Sequence, residues 1–212
     1  RHNVDQLDTY KTMADDYGAQ LRVTRLRPSG RGVASYQDLR LTHPQQRQIF
    51  RWILDHPDVL TGDSFFHLNA LGSATGETLP GLNLCGAGRI VCLIDPIGDV
   101  YACPFVIHDE FLAGNVRDDG GFAQVWRHSP LFTSLREPGS AGACASCGSF
   151  DACGGGCMAA KFFTGIELDG PDPDCALGHA DELVAAAALT GQIPSPSQDH
   201  SRGVPISISR KT

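Results

Sequence analysis

Several things are missing or scarce in this 212-residue chain, and each absence excludes something. Nowhere does it hold the roughly eighteen consecutive apolar residues of a membrane helix, and its N-terminus lacks the charged and apolar regions of a secretory leader. The expectation is a cytoplasmic protein without a membrane partner. Positive charge is short as well: 17 Lys and Arg stand against 24 Asp and Glu, a net charge of −7. Nucleic-acid affinity comes largely from cationic contacts to phosphate, so an acidic chain is no candidate for DNA or RNA. Cysteine is absent from residues 1–84, yet eight cysteines lie between Cys85 and Cys175. A chain this long can bury a core without disulfides, and a cytosolic compartment keeps thiols reduced. Eight thiols in such a chain point to metal.

The cysteine-free part has its own character, with 9 basic and 9 acidic side chains, leaving 8 and 15 for the remainder. It starts at Arg1 without an initiator methionine and enters a helical pattern at once. Leu7, Tyr10, Met13, Ala14 and Tyr17 recur at helical spacing, with Asp5 as the expected N-cap and Gly18 as the stop. A strand is expected over Leu21 to Leu26, followed by the turn Pro28-Ser29-Gly30-Arg31-Gly32. Helix then strand fits the tail of a βα-repeat domain whose beginning lies elsewhere, so the chain reads as a fragment. Arg22, Arg25, Arg27 and Arg31 allow two readings: a bidentate anion clamp, or long side chains on the wet face of a strand and its loop. Pro44 opens a further helix, whose face is Ile49, Phe50, Ile53 and Leu54, and Pro57 ends it. Gly62 to Leu82 reads as a linker with one short strand.

From Cys85 the pattern sharpens. Ile90 to Ile94 and Val100 to Cys103 read as strands around Asp95-Pro96-Ile97-Gly98-Asp99, a hairpin in which Gly98 takes positive φ. A loop of two or four residues would set Cys92 opposite Cys103 on one face, about 5 Å apart at Cβ. The other reading of Cys92 is a small buried hydrophobe. Helical pieces around Val125-Trp126 and from Leu131 to Arg136 lead to Cys144-x2-Cys147-x5-Cys153-x3-Cys157, then Cys175 after Asp172-Pro173-Asp174. Gly154, Gly155 and Gly156 let the backbone pass close to a bulky group and offer N–H groups to sulfur. Met158 to Phe163 reads as a short helix ended by Gly165, and Ala180 to Thr190 as an alanine-rich one. The tail from Gly191 has the composition of a disordered segment. Four thiolates complete one site, either tetrahedral zinc or a four-iron cubane, and spacing alone does not choose between them.

The order C-x12-G-x4-C, C-x2-C-x5-C-x3-C and a lone Cys after Asp-Pro-Asp resembles the SPASM module of radical S-adenosylmethionine enzymes that modify ribosomally made peptides. The resemblance implies an α/β chain: residues 1–62 as the C-terminal elements of a partial TIM-like (βα) barrel, 63–84 as a bridging segment, 85–190 as a small α+β SPASM module, and 191–212 as the tail. It further implies two auxiliary [4Fe-4S] clusters. Cys85, Cys103 and Cys157 would bind the first, with Cys92 as candidate fourth ligand, and Cys144, Cys147, Cys153 and Cys175 the second. Ser29 and Arg31, at the mouth of the barrel, become candidates for contact with S-adenosylmethionine.

In the intact enzyme the resemblance implies a third cluster that cleaves S-adenosylmethionine to a 5′-deoxyadenosyl radical. The implied reaction is oxidative decarboxylation of a precursor peptide's C-terminal tyrosine, then a carbon–carbon bond to the preceding valine. A small peptide-binding chaperone and an electron donor are the implied partners. The C-x3-C-x2-C motif of the radical-generating cluster is absent here, so these residues alone are expected to be inactive. A sulfatase-maturating enzyme is the rival within the class, but those enzymes place an Asp directly after the G-x4-C cysteine, where this chain has Pro104. His108, Asp109 and Glu110 stand as either an acid–base group or a solvated loop cluster. The rival from another class is a non-catalytic binding module held by two zinc ions.

Overall fold

The computed structural model describes residues 1–29, 32–61, 65–81 and 84–190. Among the described residues two compact units divide the chain: Arg1–Gly86 with 137–190, and Ala87–Arg136. The expected disordered tail lies outside the described residues.

In the first unit, a single 3-10 turn, Val4–Gln6, leads into α1, Leu7–Asp16. Asp5 lies inside that turn and is not the expected N-cap, because the chain is already coiled when it reaches Asp5. Gly18, at φ +61°, ends the helix as its sequence position requires. The expected strand Leu21 to Leu26 shrinks to one parallel bridge, Arg22 with Leu60. Val23 N–H and Leu60 N–H satisfy the carbonyls of Leu60 and Leu21, and among the described residues no longer ladder forms around them. α2, Gly32–Leu39, and α3, His43–Asp55, follow. Thr42 and Gln45 form a reciprocal capping box at the start of α3, with Pro44 in its first turn, where a missing N–H costs nothing.

One face of α3 (Ile49, Phe50, Ile53) packs with Val4, Leu7, Phe65, Leu68 and Leu79 into the core of this unit. The segment expected to contain a strand is instead a 3-10 helix, Phe66–Leu71, preceded by buried Phe65. Phe65 and Leu68 are three residues apart, a spacing that puts both on one side of a 3-10 turn, and that local period prevails over the β-propensity of the phenylalanines. Beyond residue 137 come the short helices α6, Phe150–Cys153, α7, Met158–Phe163, and α8, Asp181–Thr190, numbered after α4, Gly121–His128, and α5, Pro130–Arg136, of the other unit. Ala180 and Val184 bury against Ile166, with Cys175 beside them.

The second unit holds a three-stranded antiparallel sheet, β1 Leu93–Ile94, β2 Asp99–Tyr101 and β3 Leu112–Asn115, followed by α4 Gly121–His128 and α5 Pro130–Arg136. The hairpin is present, with Gly98 at φ +92°, but its register pairs Leu93 with Tyr101 and Ile94 with Val100. The expected pairing of Cys92 with Cys103 is therefore wrong by one residue. Asp95 is the cause: its carboxylate accepts from Ile97 N (3.0 Å) and Asp99 N (2.9 Å), while Asp95 N donates to Asp99 O (3.0 Å). This closes a three-residue loop with glycine in the left-handed position, rather than a loop of two or four. A one-residue change of register exchanges the faces of a strand, so the hairpin supplies no reason for the two thiols to meet.

Candidate metal centre

None of the eight cysteines is in a disulfide. Within the first unit, Cys144, Cys147, Cys153 and Cys175 line a single small cleft, together with His67 and Phe150. Local structure explains each placement. Cys144 closes the 3-10 turn Gly142–Cys144, and Cys147 N–H bonds back to its carbonyl at 3.2 Å. Cys153 ends α6, and Cys175 closes the turn that starts at Asp172, its N–H reaching Asp172 O at 2.8 Å.

Backbone donors point at these sulfurs. Gly155 N–H bonds to Cys153, and the N–H groups of Leu177 and His179 bond to Cys175. Such donors stabilise a thiolate and tune a metal bound to it. Burial works against ionisation: it pushes the Cys153 thiol up to about 11 and raises Cys144 and Cys175 as well. The neighbouring cysteines add to this, since several thiolates in one cleft repel one another. Such a quartet needs a multivalent cation to ionise together, and binding of the cation releases the protons. The donor set therefore fits a four-thiolate metal or iron–sulfur centre.

The three glycines expected to allow close approach are all left-handed, Gly154 at φ +55°, Gly155 at +70° and Gly156 at +89°. A Cβ on Gly156 would stand 2.2 Å from the Cβ of Asp172. What passes close is thus a carboxylate as well as a cleft.

Cys85 and Cys157 are also neighbours. A hydrogen bond with Cys85 holds the Cys157 thiol down at about 6, helped by the charge of Arg25 and opposed by burial. Asp172 joins this region to the quartet. Its Oδ2 accepts from Cys157 N (2.7 Å) and Arg25 Nη2 (2.8 Å), its Oδ1 from Arg25 Nη1 (2.7 Å) and Asp174 N (2.8 Å). Asp174 in turn accepts from Tyr36 Oη (2.6 Å) and pairs with Arg40 Nε (3.3 Å), and its carbonyl accepts from Gln46 Nε2 (3.0 Å). Among the described arginines of this segment Arg25 clamps a carboxylate, but its anion is internal: its side chain is 2% exposed, while Arg22 is exposed. Desolvation is outweighed here, and the Arg25 charge holds Asp172 well below the usual carboxylate range. Removing one partner of such a buried pair typically costs about 3–5 kcal/mol.

Sequence reasoning missed Tyr36, Arg40 and Gln46; the available signal was the pair of aspartates flanking Pro173 just before a cysteine. It also missed Lys161, a buried cation among these groups whose ammonium donates to Leu168 O at 2.8 Å. Burial lowers its pKa, opposed by Asp172 and the thiolates of Cys144, Cys85 and Cys157.

Ser29 is half-buried in the turn before α2, where Gly32 N–H reaches its carbonyl at 2.9 Å, and Arg31 lies outside the described residues. Cys92 and Cys103 belong to the second unit, where Cys103 is buried and Cys92 half-buried. His108 caps a surface 3-10 turn by accepting from Glu110 N at 3.3 Å, with Asp109 and Glu110 exposed, so the loop reading accounts for all three. Among the described residues no helix is long and apolar enough to cross a membrane.

Comparison with known proteins agrees with this chemistry. Residues 85–148 match SPASM, an iron-sulfur cluster-binding domain. The mycofactocin maturase of Mycolicibacterium smegmatis is 63% identical over 204 residues, which is 96% of this chain and 51% of that protein. That of Mycobacterium tuberculosis is 59% identical over 218 residues, all of this chain and 54% of the relative, and that of Mycobacterium ulcerans is 61% identical over 204 residues, 96% and 54%. The chain spans about half the length of these curated relatives. No solved structure matches.

Proposed function

From a chain that carries the SPASM domain and resembles the mycofactocin maturases throughout, we propose the auxiliary-cluster portion of a radical S-adenosylmethionine peptide maturase of the mycofactocin type. The observation that carries the reading is the convergence of Cys144, Cys147, Cys153 and Cys175 on one cleft, with backbone N–H groups aimed at two of the sulfurs. These four would hold auxiliary cluster II. Cys85, Cys103 and Cys157 would hold cluster I, with Cys92 as the eighth thiol available to it.

When bound, low-potential clusters of this kind supply a route for electrons. The protein's own groups do the rest. The amides of Gly155, Leu177 and His179 favour the thiolate over the thiol, the Arg25 charge favours ionised Cys157, and Phe150 and Leu177 line the cleft beside the quartet. In the whole protein, residues 1–62 would close a partial TIM-like barrel, with Ser29 and Arg31 near S-adenosylmethionine, and 63–84 would bridge to the module. The reaction would decarboxylate a precursor peptide's C-terminal tyrosine oxidatively and join it to the preceding valine, with a peptide-binding chaperone and an electron donor as partners. Without C-x3-C-x2-C, residues 1–212 by themselves would not cleave S-adenosylmethionine.

Anaerobic reconstitution with iron and sulfide tests this. The expected product is brown and carries about eight irons per chain, four to each cubane. A colourless protein with two zinc ions would overturn the reading in favour of a zinc-held binding module.

A further inference from the structure

We propose that Arg25 is a positioning residue that sets the ligand geometry of both auxiliary clusters through one carboxylate, Asp172. The inference rests on the cluster assignment above, in which Cys157 and Cys175 serve different clusters.

Asp172 is a junction with every acceptor position used. Arg25 binds both of its oxygens, at 2.7 and 2.8 Å, in the side-by-side geometry that fixes a carboxylate's plane as well as its place. In that plane Oδ2 meets the backbone N–H of Cys157 at 2.7 Å, and Oδ1 meets that of Asp174 at 2.8 Å. The carbonyl of Asp172 then receives Cys175 N–H at 2.8 Å. One residue thus anchors the backbone of Cys157 and the turn that presents Cys175. Gly156 closes the junction from the other side, since it leaves no room for a Cβ beside Asp172.

The grip is graded. Asp174 touches Arg25 only through Oδ2, at 3.2 Å, while Tyr36 and Arg40 hold its Oδ1. Loss of the Tyr36 hydroxyl therefore bears on the turn of Cys175 and leaves the Cys157 amide bonded. Loss of the guanidinium frees the plane of Asp172 and bears on both. A packing role alone predicts no such division.

The experiment uses the reconstituted 212-residue chain in five forms: wild type, R25M, R25K, Y36F and, as an exposed control from the same segment, R22M. Two readouts follow each cluster, its electron paramagnetic resonance signal when reduced and its rate of iron loss to a chelator. R25M is expected to alter both signals and to speed iron loss from both clusters by about tenfold or more, the usual scale for a lost outer partner of a ligand. R25K keeps the charge without the two-pronged contact and should lie between wild type and R25M. Y36F should alter the signal of the Cys175 cluster alone, and R22M neither. If R25M does not fold, R25K decides by the same criterion: both signals moved sustains the proposal. A change confined to one cluster, or to none, overturns it, and so does Y36F moving both. Wild-type protein that takes up zinc and no iron overturns the cluster assignment itself, a result read before any variant is made.

Discussion

Replacing Gly156 by alanine isolates the cost of crowding Asp172. The backbone there sits at φ +89°, and the new Cβ would lie 2.2 Å from Asp172 Cβ and 2.3 Å from its Oδ2. An L-residue in the left-handed region costs about 1–2 kcal/mol by itself. The overlap cannot be relieved by a flexible chain end, because Asp172 is fixed by Arg25 and by the amides of Cys157 and Asp174. Moving it sacrifices at least one hydrogen bond to a charged group, about 1.5–3 kcal/mol, so G156A should lose about 2.5–5 kcal/mol in total. G154A is the internal control: its φ is +55° and nothing lies within 4 Å of the added carbon, so only the backbone cost applies. In urea denaturation, with a slope of about 2 kcal/mol per molar, the two midpoints should differ by about 0.8–1.5 M. Midpoints within about 0.3 M of each other, near the error of the method, would refute the reasoning.

Three further outcomes are expected. Ile53→Ala, at the centre of the first unit's core with no exposed surface, should cost about 2–5 kcal/mol by the same denaturation assay. Thr42→Ala removes the side-chain acceptor of the α3 capping box and should cost about 1 kcal/mol, with Thr42→Ser near wild type. Cys153→Ala should halve the iron bound on reconstitution to about four per chain while the other cluster's resonance signal remains; retention of all the iron would remove Cys153 from the ligand set.

Much of the site could be read from the chain. Cysteine spacing and the glycine triplet are local, and a quartet within Cys144 to Cys175 needs only short turns to converge. Helices with strong caps and periodic apolar faces, such as α3, were legible for the same reason. The hairpin was legible as a hairpin but not in register, because an aspartate side chain, Asp95, selects the loop length. The strand at Leu21 to Leu26 failed because a strand exists only through its neighbour, and Leu60 supplies a single bridge.

The sequence by itself determined the expectation of a metal held by thiols: eight cysteines at fixed intervals carry it, since residue type and spacing are properties of the covalent chain. Only the tertiary structure decided which arginine matters and what it holds. Arg22, Arg25 and Arg27 are equivalent on paper, and what distinguishes Arg25 is that folding buries Asp172, 147 positions away, against it. Long-range ion pairing of that kind is set by burial, and burial belongs to the folded chain as a whole.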